Sequence, residues 1–205
     1  MAVKSNLVNM AVCLLVTCLV CSAILAGVYA VTAAPIAETN AKLLRASIGA
    51  VLPEGGELSD AQSLTVGGQP SEYYTLTEDG SVKAYAVKST VVGFGGPLTL
   101  MVGLTPEGVV YNTSVLSHQE TPGLGAKCNT DEKFMAQWKG FDTAQKILKV
   151  KKDGGDVDAI TASTITSRAY ATAIQNALDA IKGVASDAVS GASVKPENTE
   201  DPSDE

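Results

Sequence analysis

Apolar residues run almost without interruption from Leu7 to Val31, and no charged residue occurs between Lys4 and Glu38. A helix crossing a bilayer needs about 20 apolar residues, so residues 7–31 predict a transmembrane helix after a short N-terminus, residues 1–6. A cleaved signal peptide would have an apolar core of roughly 7–15 residues. This run is longer, so the segment reads as an uncleaved anchor despite Lys4 and the small residues of Val31-Thr32-Ala33-Ala34-Pro35. Beyond it Ala37, Leu43, Leu44, Ile48 and Val51 recur at mostly helical spacing up to Pro53, which predicts a short, separate juxtamembrane helix. "EGGELSDAQS" then reads as a loop. Two β-rich runs flank Glu78-Asp79-Gly80, and two more, "PLTLMVGL" and "VVYNTSVL", flank "TPEG", so two hairpins are expected. "NTDEKFMAQWKG" predicts a short helix capped by Asn129 or Thr130, with Phe134 and Trp138 on one face. "KILKVKK" predicts a further strand. Tyr170, Ile174, Leu178 and Ile181 predict a last helix from about Thr166 to Gly183. Strands and helices without strict alternation make the fold class α+β, with one mixed, mainly antiparallel sheet domain over residues 37–185.

Charge narrows the possible partners. The 205-residue chain has a net charge of −7 and a pI near 4.7, with no basic cluster of the kind nucleic acid requires, so that class of partner is set aside. The acidic, Pro- and Ser-rich end, residues 186–205, predicts disorder. Lys4 favours a cytoplasmic N-terminus only slightly, because Lys42 and Arg45 lie at the margin of the distance that counts. Cys13, Cys18 and Cys21 lie in the anchor, leaving Cys128 as the one thiol beyond it. No internal disulfide and no metal-ligand spacing is available to the domain.

Chemistry concentrates in two stretches. "DAITASTITSRAY", Asp158 to Tyr170, holds six hydroxyl residues in thirteen positions at the start of the last helix. One or two would suffice as caps. A helix N-terminus also suits a phosphate, so capping, phosphate binding and esterification by a phosphate all remain open on composition alone. "HQETPGLG" joins the only histidine, His118, to Glu120, Thr121, Gly123, Leu124 and Gly125 just past a strand end, a loop that lets backbone approach a ligand closely. "VVGFGGPL" lacks the Lys-Ser/Thr of a phosphate loop and reads as a bend into a strand. No G-x-S-x-G accompanies the single histidine, which argues against a hydrolase.

With these stretches in view, the chain resembles the membrane-anchored, flavin-binding G subunit of the Rnf electron-transport complex, and more distantly the C subunit of the sodium-pumping NADH:quinone reductase. The anchor, "VVGFGGPLTLMVGL", "VLSHQETPGLGAK", "FMAQWKGF" and "DAITASTITS" follow in the family's order. The family's flavin-attachment pattern, roughly D-x-x-S/T-G-A-T-x-S/T, falls on Asp158, Thr161, Ala162, Ser163, Thr164 and Thr166. The resemblance implies FMN esterified to Thr164 through its phosphate, Asp158 as a recognition residue for the attaching flavin transferase, and Thr161, Ser163, Thr166 and Ser167 around the phosphate. It implies that His118 and Glu120 tune the flavin beside Thr121, Gly123, Leu124 and Gly125. It further implies an electron relay in an ion-translocating ferredoxin:NAD oxidoreductase, anchored in the cytoplasmic membrane beside other membrane subunits, with the flavin domain outside. The alternatives are the quinone-reductase C subunit, a stand-alone exported flavoprotein, and an anchored module that binds a phosphate-bearing ligand reversibly. Ala162 stands where the family has Gly, and Ser163 where it has Ala. An added Cβ at Ala162 is expected to exclude a positive-φ backbone.

Overall fold

The computed structural model describes residues 7–190, with side chains to residue 184. Residues 1–6 and 191–205 lie outside the described residues, so most of the acidic tail expected to be disordered falls there. Residues 186–190 continue the last helix.

Helix α1 spans Leu7–Val51. Its apolar first part is fully exposed in the isolated chain and long and apolar enough to cross a membrane. The juxtamembrane helix read from Ala37 to Val51 is not separate. The helix passes through Pro35, which forfeits one main-chain bond, while Thr32 and Thr39 donate their hydroxyls to the carbonyls of Val28 and Pro35, each at 2.8 Å. It stops before Pro53.

The domain that follows is a seven-stranded antiparallel sheet: β1 (Glu57–Leu58), β2 (Gln62–Val66), β3 (Gln69–Glu78), β4 (Ser81–Val92), β5 (Pro97–Leu104), β6 (Val109–His118) and β7 (Phe141–Asp142). The order is β1-β3-β4-β5-β6-β7, with β2 on the same edge of β3 as β1. Both expected hairpins form, β3–β4 around Asp79-Gly80 and β5–β6 around Thr105–Gly108. β1 and the first two residues of β2 occupy sequence read as loop. They are short, mostly exposed and defined by the edge of β3 rather than by an apolar pattern of their own.

On β5, Leu98, Leu100, Val102 and Leu104 alternate into one core with α3 (Thr164–Ser190), which brings Tyr170, Ile174, Leu178 and Ile181. Each fully buried apolar side chain contributes about 1.5–3 kcal/mol. Trp138 closes the core's far end, stacked on Tyr170 at 5.1 Å between ring centres, with Phe134 edge-on to both. The opposite sheet face is covered by Ser47, Ile48 and Val51. A Cβ on Gly103 of β5 would lie 1.8 Å from the Val51 carbonyl, so only glycine admits that approach.

Three boundaries differ from expectation. Helix α2 is only Glu132–Ala136, and its cap is Asp131, whose Oδ1 accepts from the N–H groups of Lys133 and Phe134. "KILKVKK" is not a strand: Val150 makes one parallel bridge to Val157, and Lys151–Asp153 form a 3-10 turn. Val150 is buried but Ile147 is 56 % exposed, so the run has one anchoring point instead of an apolar face. α3 begins at Thr164, two residues before the expected start.

Candidate functional site

The first residues of α3 and the "HQETPGLG" loop meet across a cleft of about 360 Å³ lined by Phe94, Glu120, Thr121, Leu124, Gly125 and residues 162–166. The two stretches the sequence singled out are 46 positions apart at their point of contact, where Thr166 donates its hydroxyl to Glu120 Oε2 at 2.9 Å. The bend Gly93–Gly96 joins them. Its Phe94 N–H donates to Glu120 Oε1 at 2.8 Å. Glu120 is 5 % exposed, so both donors offset the cost of burying its carboxylate. The glycines make room for it: a Cβ would lie 2.0 Å from Oε1 if placed on Gly93 and 2.4 Å from Oε2 if placed on Gly125. Cys128 is buried nearby. Burial, reinforced by the charge of Glu120, pushes its thiol up to about 11, which makes it a poor nucleophile at neutral pH.

The hydroxyls divide sharply. Ser167 is used structurally: its Oγ accepts from Ile160 N–H at 2.9 Å and donates to the Ser163 carbonyl at 3.0 Å. Thr166 is bonded to Glu120. Thr161 is exposed and outside the cleft lining. Tyr170 is buried against Thr113, 2.8 Å away, and burial raises its phenol pKa. Ser163 and Thr164 are left facing the cleft. Ser163 is 7 % exposed, and its hydroxyl has no partner among the described residues. Thr164 is half-buried and takes one bond, from Lys152 Nζ at 3.4 Å.

Backbone geometry explains how Thr164 comes to lead the helix. Ser163 N–H donates to the Ile160 carbonyl at 3.0 Å, closing a four-residue turn whose third residue, Ala162, has φ +61°. The expectation that alanine would exclude positive φ is corrected here. The turn and the helix that follows over-determine the conformation, and Ala162 adopts it at a cost a glycine would avoid. Ser163 then accepts the first helical bond, from Ser167 N–H. Among the described residues nothing accepts from the N–H groups of Thr164, Ile165 or Thr166. These are the free donors and positive dipole end of a 27-residue helix.

Other expected residues stand apart from the cleft. His118 ends β6, and its Nδ1 accepts from Glu120 N–H at 3.3 Å. It bonds the loop backbone and does not line the cleft. Gly123, at φ +78°, serves the turn of the loop. Asp158 is exposed and paired with Lys151 at 2.7 Å. The sequence reading missed Phe94 and Ile165, 68 % and 51 % exposed apolar walls of the cleft, and it missed Lys152. An aromatic between glycine groups, as in "GFGG", was the available signal for Phe94. Nothing local marks Lys152.

The arrangement fits a flavin nucleotide. Apolar walls suit a ring system, and free N–H groups with an adjacent cation suit its phosphate. Residues 93–179, which include every residue of the cleft lining, match the FMN-binding domain family, so this part of the chain is an FMN-binding domain. The chain is 34 % identical over 165 residues to the G subunit of the ion-translocating oxidoreductase complex of Haemophilus influenzae, covering 74 % of this chain and 78 % of that one. It is 33 % identical over 176 residues to the Vibrio cholerae G subunit, covering 78 % and 83 %. It is 29 % identical over 169 residues to the G subunit of the proton-translocating ferredoxin:NAD(+) oxidoreductase complex of Clostridium ljungdahlii, covering 82 % and 88 %. The chain belongs to the G-subunit family of ion-translocating oxidoreductase complexes. Among solved structures it is similar to Shewanella oneidensis NqrC, with a TM-score of 0.43 and 23 % identity, covering 56 % of this chain and 62 % of that one. It thus spans about three-fifths of that chain's length.

Proposed function

We propose that this chain is an electron-carrying subunit of an ion-translocating ferredoxin:NAD oxidoreductase complex, with FMN joined by a phosphoester to Thr164 Oγ1. The observation that carries the reading is the division of the hydroxyls. Of the residues in the attachment pattern, Thr164 alone combines a cleft-facing hydroxyl, a neighbouring cation and the first position of α3. When bound, the flavin supplies one- and two-electron transfer. The free N–H groups of Thr164, Ile165 and Thr166 hold its phosphate, Phe94, Leu124 and Ile165 shield one end of the cleft from water, and Glu120 sets the local charge.

Helix α1 anchors the chain in the cytoplasmic membrane, with the domain outside. A covalent tether makes physical sense there, because a cofactor lost to the exterior cannot be recovered. A single span without Asp, Glu, Lys, Arg or His between residues 7 and 31 cannot itself form an ion path, so that task falls to other membrane subunits. Exposed Asp158 is available to a flavin transferase during maturation.

The test is Thr164→Ala in the full chain. Flavin fluorescence on a denaturing gel should disappear while the domain stays folded, since the residue's one bond is to an exposed lysine. Fluorescence that persists in the variant moves the ester to Ser163 or another hydroxyl, which peptide mass spectrometry identifies. Flavin that leaves the parent chain on denaturation returns the domain to a reversible phosphate-ligand binder.

A further inference from the structure

The 3-10 turn Lys151–Asp153 has no counterpart in the attachment pattern, yet it is pinned to the first turns of α3 at two points. Arg168 of α3 donates from Nε and an Nη atom to the two Asp153 oxygens at 2.6 and 2.7 Å. This bidentate pair fixes both distance and angle. The hydrogen bond from Arg168, helped by the charges of Lys149 and Lys152, holds the Asp153 carboxyl below its usual range. The next side chain along, Lys152, is thereby delivered to Thr164, with Nζ 3.4 Å from Oγ1. Lys151 turns the other way and pairs with Asp158, and Asp153 is satisfied by Arg168. Lys152 therefore faces Thr164 without a carboxylate of its own among the described residues. Ser163 is also part of the cleft wall and 7 % exposed, and its hydroxyl has no partner among the described residues. The three free N–H groups at the start of α3 add donors to those of Lys152 and Ser163, while the carboxylate of the cleft, Glu120, is held by Phe94 N–H and the Thr166 hydroxyl.

We propose that Lys152 is the counter-ion of the phosphate carried at Thr164, positioned by the Asp153–Arg168 pair, with Ser163 donating to the same group. This rests on the reading of Thr164 as the attachment residue. A phosphodiester keeps a full negative charge at all working pH values. At a half-exposed site the helix terminus supplies only partial charges, and an ammonium on the open side offsets the remainder. The arrangement also explains why the chain tolerates a serine where the family pattern has alanine, since the added hydroxyl points at an acceptor-rich ligand.

The experiment uses the full chain in detergent, co-produced with a flavin transferase, as parent, Lys152→Gln, Lys152→Arg and, for comparison, Lys149→Gln. Peptide mass spectrometry first locates the flavin. Then the initial rate of covalent FMN incorporation and the phosphorus NMR shift of the phosphodiester are measured. Lys152 is exposed, so its variants should fold normally. The expected result is incorporation slowed roughly fivefold in Lys152→Gln, the size of a partly exposed charge interaction, with a displaced phosphorus resonance. Lys152→Arg should restore the rate, and Lys149→Gln should match the parent. Flavin on Thr164 with parental rate and shift in Lys152→Gln overturns the assignment. Equal slowing in Lys149→Gln also overturns it, because general surface charge would then be the cause. Flavin on a residue other than Thr164 overturns the underlying reading, and the mass spectrum alone reports that outcome.

Discussion

Replacing Ala162 by glycine tests the turn that delivers Thr164 to the helix start. Ala162 has φ +61° and an exposed side chain, so its Cβ makes no buried contact that could be lost. Holding an L-residue in the left-handed region costs about 1–2 kcal/mol. Glycine removes that cost but gives the unfolded chain more freedom, which takes back about 0.4–1 kcal/mol. The balance is a stabilisation of about 0.5–1 kcal/mol, equivalent to a rise of roughly 1–4 °C in the melting temperature of a domain this size. Trp138, the only tryptophan, is fully buried against Tyr170, so its emission reports unfolding of the full chain in detergent without interference from α1. Ala162→Val gives the opposite sign: a β-branched residue at positive φ is a strained outlier, and a loss of about 1–3 kcal/mol is expected. Ala162→Gly melting no higher than the parent, together with an unchanged Ala162→Val, would refute the left-handed turn and the geometry built on it.

Glu120→Gln removes a negative charge beside the cleft. Because reduction adds negative charge to a flavin, the midpoint potential should rise; a redox titration with no shift leaves Glu120 a purely structural staple for Phe94 and Thr166. Cys128 should resist iodoacetamide in the native chain at pH 8 and react once denaturant is added, and rapid native labelling would contradict its burial. Its folded thiol titrates near 11 against an ordinary value of 9.0. Its contribution to stability is therefore complete below about pH 9 and lost as pH rises toward 11, and Cys128→Ala should flatten that part of the pH–stability curve.

Features encoded by a local pattern were legible in the amino-acid order alone. The uncharged run after Lys4 is long enough to span a bilayer, the alternation on β5 marks a buried strand, the turn residues at Asp79-Gly80 and Thr105–Gly108 close hairpins, and Tyr170, Ile174, Leu178 and Ile181 mark the buried stripe of α3. The hydroxyl cluster and "HQETPGLG" were visible as two separate stretches, because hydroxyls before a helix and glycines after a strand are local signals. What each residue in them does follows from packing in three dimensions. Burial makes Glu120 a bonded staple, Ser167 and Thr166 spend their hydroxyls on partners, and His118 turns to the loop backbone. These outcomes depend on which donors lie within about 3 Å, and those donors come from elements tens of residues away. Lys152 is the clearest case: twelve positions before Thr164 and in a run that looked like a strand, it meets the helix start in a turn that Asp153 and Arg168 tie to α3. β1 and β2 were hidden for the same reason, since their pairing belongs to the edge of β3 and not to any period in their own residues.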